Sequence, residues 1–375
     1  MRVFALACAV TLGMTVLPQA QSDSRPDAGP DSRPSFSEWL NGVRADAVGR
    51  GIRSEIVDEA LATVQQPEPT VIERDRTQAE IVLPLEAYVA RRLTTKVVRD
   101  ARAQLASHRM LLGEVSARYG VPPALIVGIW GIESNFGRFS GVRPTIAALA
   151  TLAWDGRRAL FFRGELLDAL EILDRGDVDL AHLRGSWAGA MGQPQFMPSS
   201  YRRWAQDFDG DGRRDIWSSA PDVFASIANY LAAHGWQAGQ TWGQEVVVEP
   251  EAARRVAMEV GRRDGSCQAK RDMTVALPLA RWQELGVRTV SGHAFAEADQ
   301  MASLVSGAAR HFLVHANYDA LLEYNCAHSY AISVALLADR AAGPPSPQTS
   351  RGLKPRARAS RRHAVRHGRS QGAHK

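Results

Sequence analysis

Hydrophobic positions follow three regimes along the chain. From Phe36 to about Gly120 they recur at three- and four-residue intervals, as in Phe36, Trp39, Leu40 and Val43, and this spacing predicts helices. A long charged helix is expected from about Leu85 to Tyr119. Between Val121 and Trp242 the chain is dense in Gly, Trp and Phe, with loops separating helical patterns such as Pro221 to Ala233. Shorter runs follow between Glu245 and Val290. Two of them, Glu245 to Glu249 and Met273 to Leu277, predict a small β-containing insertion at about 243–292. Helical spacing returns from Ala294 to Arg310 and from Ser329 to Asp339, before Pro344 breaks it. The expected class is mainly α with a minor β element, without internal repeats.

The two ends differ from this middle. Met1-Arg2 precedes an apolar run from Val3 to Leu17 and then small and polar residues, the layout of a signal peptide over residues 1–20. The run is shorter than the roughly 20 residues that span a bilayer, so export to the periplasm is expected, with a retained membrane anchor as the alternative. Residues 21–34, rich in Pro, Ser, Asp and Gly, predict a linker, and folded structure should begin near Ser35. Cys8 falls in the leader, where Ala5 argues against a lipid-attachment signal. Cys267 and Cys326 remain. In an oxidising compartment they either pair or stay as separate buried thiols, and their spacing is not that of a zinc site.

Composition and charge narrow the classes further. A chain of 375 residues that is 45% hydrophobic can bury a sizeable core, which excludes disorder throughout. The net charge of +5 belongs to the C-terminal end, where residues 351–375 carry nine Lys or Arg and no acid. Without those nine, 36 basic residues face 40 acidic ones. Residues 341–375 have too few apolar groups to offset their ordering entropy and are expected to be a disordered basic tail. Such a tail suits weak contact with an anionic wall polymer or membrane surface. No nucleic-acid partner is expected, since no supporting fold motif is present.

The stretch from Val121 to Gly137 opens with prolines suited to a helix start and continues apolar on nearly all sides, which predicts a core helix. Glu133 arrives at its end, with Ile129 and Trp130 one turn behind and Phe136 ahead. A carboxyl among such neighbours loses hydration, so its pKa should rise toward the range of a general acid. The bland alternative is a buried glutamate satisfied by an arginine or a backbone amide. A second pattern lies further on, where Asp207, Asp209, Asp211 and Asp215 alternate with Gly212 at the sixth place, as at the start of an EF-hand loop. Arg213 would add its backbone carbonyl. The usual closing Glu is missing, because Ser218 stands in its place. A structural calcium ion is expected there, and no organic cofactor.

Several motifs occur in order: Gly131-Ile-Glu-Ser-Asn-Phe-Gly137, Arg184-Gly-Ser-Trp-Ala-Gly-Ala-Met-Gly192, Gln195-Phe-Met-Pro-Ser-Ser-Tyr201 and Ala228-Asn-Tyr230. Thr151 to Arg163, Tyr324-Asn325 and Tyr330-Ala331 join them. Together they resemble the lytic murein transglycosylase B family over about residues 36–340. The resemblance implies a lysozyme-like helical catalytic core with an N-terminal helical region, a catalytic region over 35–340, and Glu133 as the sole acid and base. It implies cleavage of peptidoglycan glycan strands between N-acetylmuramic acid and N-acetylglucosamine, leaving 1,6-anhydromuramic acid, by a protein acting as a monomer. A lysozyme-type hydrolase and a non-catalytic wall-binding protein are the rival readings.

Position by position, Ser186 matches a residue near the acid, Gln195 one that binds or positions the sugar, and Tyr230, Tyr324 and Asn325 residues lining the cleft. Phe196 is expected as a stacking surface. Asp222 matches a distant aspartate that closes the metal loop. Trp187 and the pair Gln193-Pro194 depart from some relatives; these are expected to alter subsite preference without touching the acid or Gln195.

Overall fold

The computed structural model describes residues 34–78 and 83–343. The expected signal peptide, all but the last residue of the linker, and the tail from residue 344 onward lie outside the described residues. Those residues form sixteen helices and seven strands. The first helix, Phe36–Gly49, begins where expected. Ser35 accepts the Glu38 amide and Glu38 accepts the Ser35 amide at 2.8 Å, which satisfies two otherwise orphaned donors.

The single charged helix expected from Leu85 to Tyr119 is instead three helices, Leu85–Arg92, Thr95–Ser107 and Arg109–Tyr119. Leu93 leaves helical geometry at ψ 56°, and the Thr94 hydroxyl caps the next helix by accepting the Val97 amide. His108 makes the second break. Interruptions of one or two residues barely shift the apolar phase, so the periodicity runs through both.

The acid helix, Pro123–Ser134, starts on Pro122 and Pro123 and buries nine of its twelve residues. Each fully buried aliphatic side chain in it, such as Ile126 or Ile129, contributes about 1.5–3 kcal/mol. Gly128 lets this helix press on the C-terminal helix His328–Ala342, because a Cβ there would lie 2.9 Å from the Val334 carbonyl oxygen. These two helices share a core with Ala220–Ala233 and Asn317–Tyr324. A second core joins the N-terminal helices to Thr145–Asp155, Ala159–Arg175 and the segment around Met191 and Phe196. Tyr324 packs on both cores, so it marks the seam between them.

The β region is a five-stranded antiparallel sheet in the order Leu277–Pro278, Met301–Ser306, His311–Val314, Gly243–Val247, Arg288–Thr289. It reaches residue 314 rather than stopping near 292, and the helix expected from Ala294 to Arg310 is absent. Met301–Ser306 pairs there with His311–Val314, Ser306 opposite His311. Ala302 and Leu304 pack into the sheet's own cluster while Val305 enters the catalytic core, so both faces are buried. Two-sided burial removes the alternation that identifies a strand. The Met273 to Leu277 run yields only an Arg262–Thr274 bridge and the short strand Leu277–Pro278. Cys267 and Cys326 are paired as a disulfide, with their Cα atoms 6.4 Å apart.

Candidate active site

The acid helix ends in an unusual turn. Asn135, Phe136 and Gly137 all have positive φ, at 51°, 60° and 76°. Among the described residues, Gln195 at 54° is the one other non-glycine in this region. Each such residue costs of order 1–3 kcal/mol, which the surroundings must offset. Here Ser134 does part of that: its hydroxyl donates to the Trp130 carbonyl at 3.0 Å and accepts the Gly137 amide at 3.0 Å. Gly137 itself lies flat against the Gln193 side chain, which a Cβ would meet at 2.5 Å.

Opposite this turn stands the tight hairpin Met191 to Phe196, closed by amide–carbonyl bonds of 2.7 and 3.0 Å between those two residues. Its tip reaches three walls of the site. Gln193 accepts the Trp130 indole N–H at 2.6 Å and donates to the Trp217 carbonyl at 2.8 Å. The Pro194 carbonyl accepts the Tyr324 hydroxyl at 2.8 Å. Gln195 donates to the carbonyls of Gly192 at 2.8 Å and Ser140 at 3.3 Å, and so fastens the loop that follows Glu133. The Gln193-Pro194 departure therefore touches the acid helix, at Trp130 rather than at Glu133 itself.

Glu133 lies in this enclosure, partly exposed. Burial pushes its carboxyl up from the ordinary 4.5 to about 7. The Tyr330 hydroxyl, buried and without a geometric hydrogen bond among the described residues, opposes that rise, as does the charge of Arg92. The electrostatic partners of Glu133 are thus Tyr330, Arg92 and Tyr324, and none is a carboxylate. A proton donor active near neutrality without a second acid is what this geometry supplies.

Ser186 anchors a turn, its hydroxyl accepting the amides of Ala188 at 3.2 Å and Ala190 at 3.1 Å. Tyr324 is partly exposed, and its ring lies 4.8 Å from Tyr230 and 6.3 Å from Tyr330. Asn325 is exposed and its side-chain amide has no hydrogen bond among the described residues. Phe196 corrects the expectation of a stacking surface. It is 2% exposed and packs behind the tyrosines, 5.4 Å from Tyr230 and 5.8 Å from Tyr324, so no sugar can reach its face. Tyr230 belongs to the same backing layer: it stacks on His234 at 4.1 Å and its hydroxyl donates to the Glu323 carbonyl at 2.7 Å. Tyr330 escaped selection from the sequence, although it opens the quoted Tyr330-Ala331 pair on the same helix that Gly128 contacts.

Residues 35–339 match the transglycosylase SLT domain family. The chain belongs to this family. Within it, the chain is similar to membrane-bound lytic murein transglycosylase B of Escherichia coli (strain K12), 49% identical over 122 residues, or 32% of this chain. That alignment spans about a third of the curated relative, 34% of its length. Pseudomonas aeruginosa SltB3, solved in complex with NAG-NAM-pentapeptide, matches with a TM-score of 0.74 and 42% identity over 83% of this chain and 80% of that one. Escherichia coli lytic transglycosylase Slt35, solved in complex with calcium, matches with a TM-score of 0.66 and 27% identity over 83% and 93%.

In this SLT-family chain the acidic loop is built in two layers. Asp207, Asp209 and Asp211 converge, one carboxylate oxygen of each lying within 4.8 Å of the others. Asp215 and Asp222 lie outside that convergence. Asp215 accepts the amides of Trp217 and Ser218 at 2.9 and 2.8 Å, and Asp222, fully buried, accepts those of Phe208 at 2.7 Å and Asp215 at 2.8 Å. Burial pushes Asp222 up to about 6. The Arg213 carbonyl makes no hydrogen bond among the described residues, while its amide donates to Asp211 at 2.8 Å. Three convergent carboxylates without a balancing side-chain cation among the described residues suit a hard divalent ion.

Proposed function

We propose that this protein is an exported peptidoglycan lytic transglycosylase that uses Glu133 as its single acid and base. What carries this reading is a glutamate at the end of a buried helix, its carboxyl pushed up to about 7 by burial, with no second carboxylate among its charge partners in the described residues. Glu133 protonates the oxygen of the β-1,4 bond between N-acetylmuramic acid and N-acetylglucosamine. The bond to the muramic C1 breaks, and positive charge develops there. Glu133, now an anion steadied by the Tyr330 hydroxyl, removes the proton from the muramic 6-hydroxyl, whose oxygen closes on C1. The product is 1,6-anhydromuramic acid, and no water is consumed. Hydrolysis with a second carboxylate would require a partner roughly 5–9.5 Å away. Asn325 and the partly exposed edge of Tyr324 supply the polar and apolar surface that a sugar needs.

The substrate is the glycan strand, bound by one copy of the chain in the periplasm, and the basic tail assists by weak contact with anionic wall or membrane. At the acidic loop, Asp207, Asp209 and Asp211 hold calcium, with Asp215 and Asp222 shaping the loop from behind. The ion supplies charge neutralisation that braces the start of helix Ala220–Ala233 and takes no part in bond cleavage. The calcium-bound relative supports this assignment. Chelation should lower the melting temperature; an unchanged melt together with no calcium by elemental analysis removes the ion from the proposal.

The deciding experiment is mass spectrometry of muropeptides released by the purified protein and by Glu133→Gln. Anhydro products from the wild type and none from the variant are expected. Products heavier by one water would make it a hydrolase, and equal digestion by both proteins would remove Glu133 from the chemistry.

A further inference from the structure

Residues 262–274 form a loop closed at its base by the Arg262–Thr274 bridge and by the Arg263 amide donating to the Met273 carbonyl at 2.9 Å. Inside it the short helix Gln268–Asp272 and Met273 press Ala269 and Met273 into the catalytic core. Three tethers then join this loop to the helix Asn317–Tyr324 and the residues just beyond it. Arg263 donates to both carboxylate oxygens of Asp319, at 2.9 and 2.8 Å. Lys270 pairs with Glu323. Cys267 is bonded to Cys326.

Tyr324 and Asn325 lie between the second and third of these tethers. The other side of this stretch is held by the Tyr230 hydroxyl on the Glu323 carbonyl and by Tyr324 on Pro194. The Asn325 side chain is free of hydrogen bonds among the described residues, while its extended backbone, at φ −152° and ψ 116°, donates to the Leu321 carbonyl at 3.2 Å and accepts the Ala327 amide at 2.7 Å. The disulfide one residue later adds the covalent fastening between this segment and the loop.

We propose that residues 262–274 are a disulfide-fastened strap that positions Tyr324 and Asn325 for the glycan, so that cleavage depends on the oxidation state of Cys267 and Cys326. This rests on the reading of the cleft given under the proposed function. Opening the strap is a two-electron step. A dithiol reductant gives up two electrons and two protons, the sulfur–sulfur bond breaks into two thiols, and the reductant closes into its own disulfide. The partly exposed ion pairs left behind hold weakly, since solvent screens them.

The test uses the full-length protein and its Cys267→Ser/Cys326→Ser variant, each with and without dithiothreitol, well below their melting temperatures. Hydrogen exchange over residues 319–330 and KM and kcat on purified glycan strands are measured together. Reduction should speed exchange in that segment of the wild type and raise KM roughly ten- to a hundredfold, with a smaller change in kcat. The double variant should behave as the reduced protein under both conditions. Exchange that does not respond to reduction overturns the strap. Faster exchange with an unchanged KM overturns its positioning role. A wild type that cleaves nothing when oxidised sinks the functional reading instead, and exchange then decides the strap without it.

Discussion

Among the described residues, Glu133 and Asp222 have carboxyls lifted well above their ordinary range, and they sit at opposite kinds of helix end. Asp222 stands at the start of helix Ala220–Ala233, fully buried, with each oxygen accepting a backbone amide. Glu133 stands at the end of the acid helix, partly exposed, with no backbone amide bonded to its carboxyl. Both are raised by burial, to about 6 and about 7. Glu165 resembles Asp222, since it accepts the Ser199 amide at 2.9 Å and the Ser199 hydroxyl at 2.7 Å. A carboxyl saturated with fixed donors organises the backbone around it. One that is desolvated but left unsaturated can keep a proton and pass it on. The number of fixed donors on the carboxyl separates the two.

The sharpest way to break this contrast is to exchange the roles. Glu133→Gln should lower turnover by about 10²- to 10⁴-fold, while at low pH, where Glu133 is protonated, the melting temperature stays close to wild type. Asp222→Ala should do the reverse in kind. It strands two half-buried amides and should cost about 2–5 kcal/mol in denaturant unfolding; a loss under about 1 kcal/mol would show that Asp222 does not hold the loop. The smallest effect is one of pH. Because the folded pKa of Glu133 lies above its ordinary 4.5, the native state binds that proton more tightly. Its stabilising contribution is complete below about pH 4.5 and is lost as the pH rises through about 7. The melting temperature of the wild type relative to Glu133→Gln should therefore be highest at pH 4 and fall by pH 8. A difference that stays constant across that span would mean that Glu133 is not desolvated in the folded protein.

Most of the helical scaffold was legible because one-sided burial leaves a periodic trace, as in Phe36–Gly49 and Ala220–Ala233. The strand Met301–Ser306 left none, since neighbours cover it on both faces. The acid could be found from its apolar run, but its partners could not. Tyr330 lies almost 200 residues away and reaches Glu133 only through the docking of two helices. The aromatic residues were recognised as a group, yet sequence cannot say which ring of a cluster ends at the surface. Phe196 and Tyr230 turned inward, and Tyr324 kept an edge outside. The hairpin tip Gln193-Pro194 looked like variation at the margin because its contacts to Trp130 and Tyr324 run through tertiary structure.

The missing side chain at Gly128 has a reach beyond its own position. Gly128 lies five residues before Glu133, about 140° around the helix, so it faces away from the cleft. Its neighbour Val334 is one turn beyond Tyr330 on the opposing helix. The spacing between the proton donor and the hydroxyl that tempers it is therefore set from the rear, by how closely two backbones meet. A single methyl group added there would wedge the pair apart and retune acidity without altering any atom that a sugar can touch.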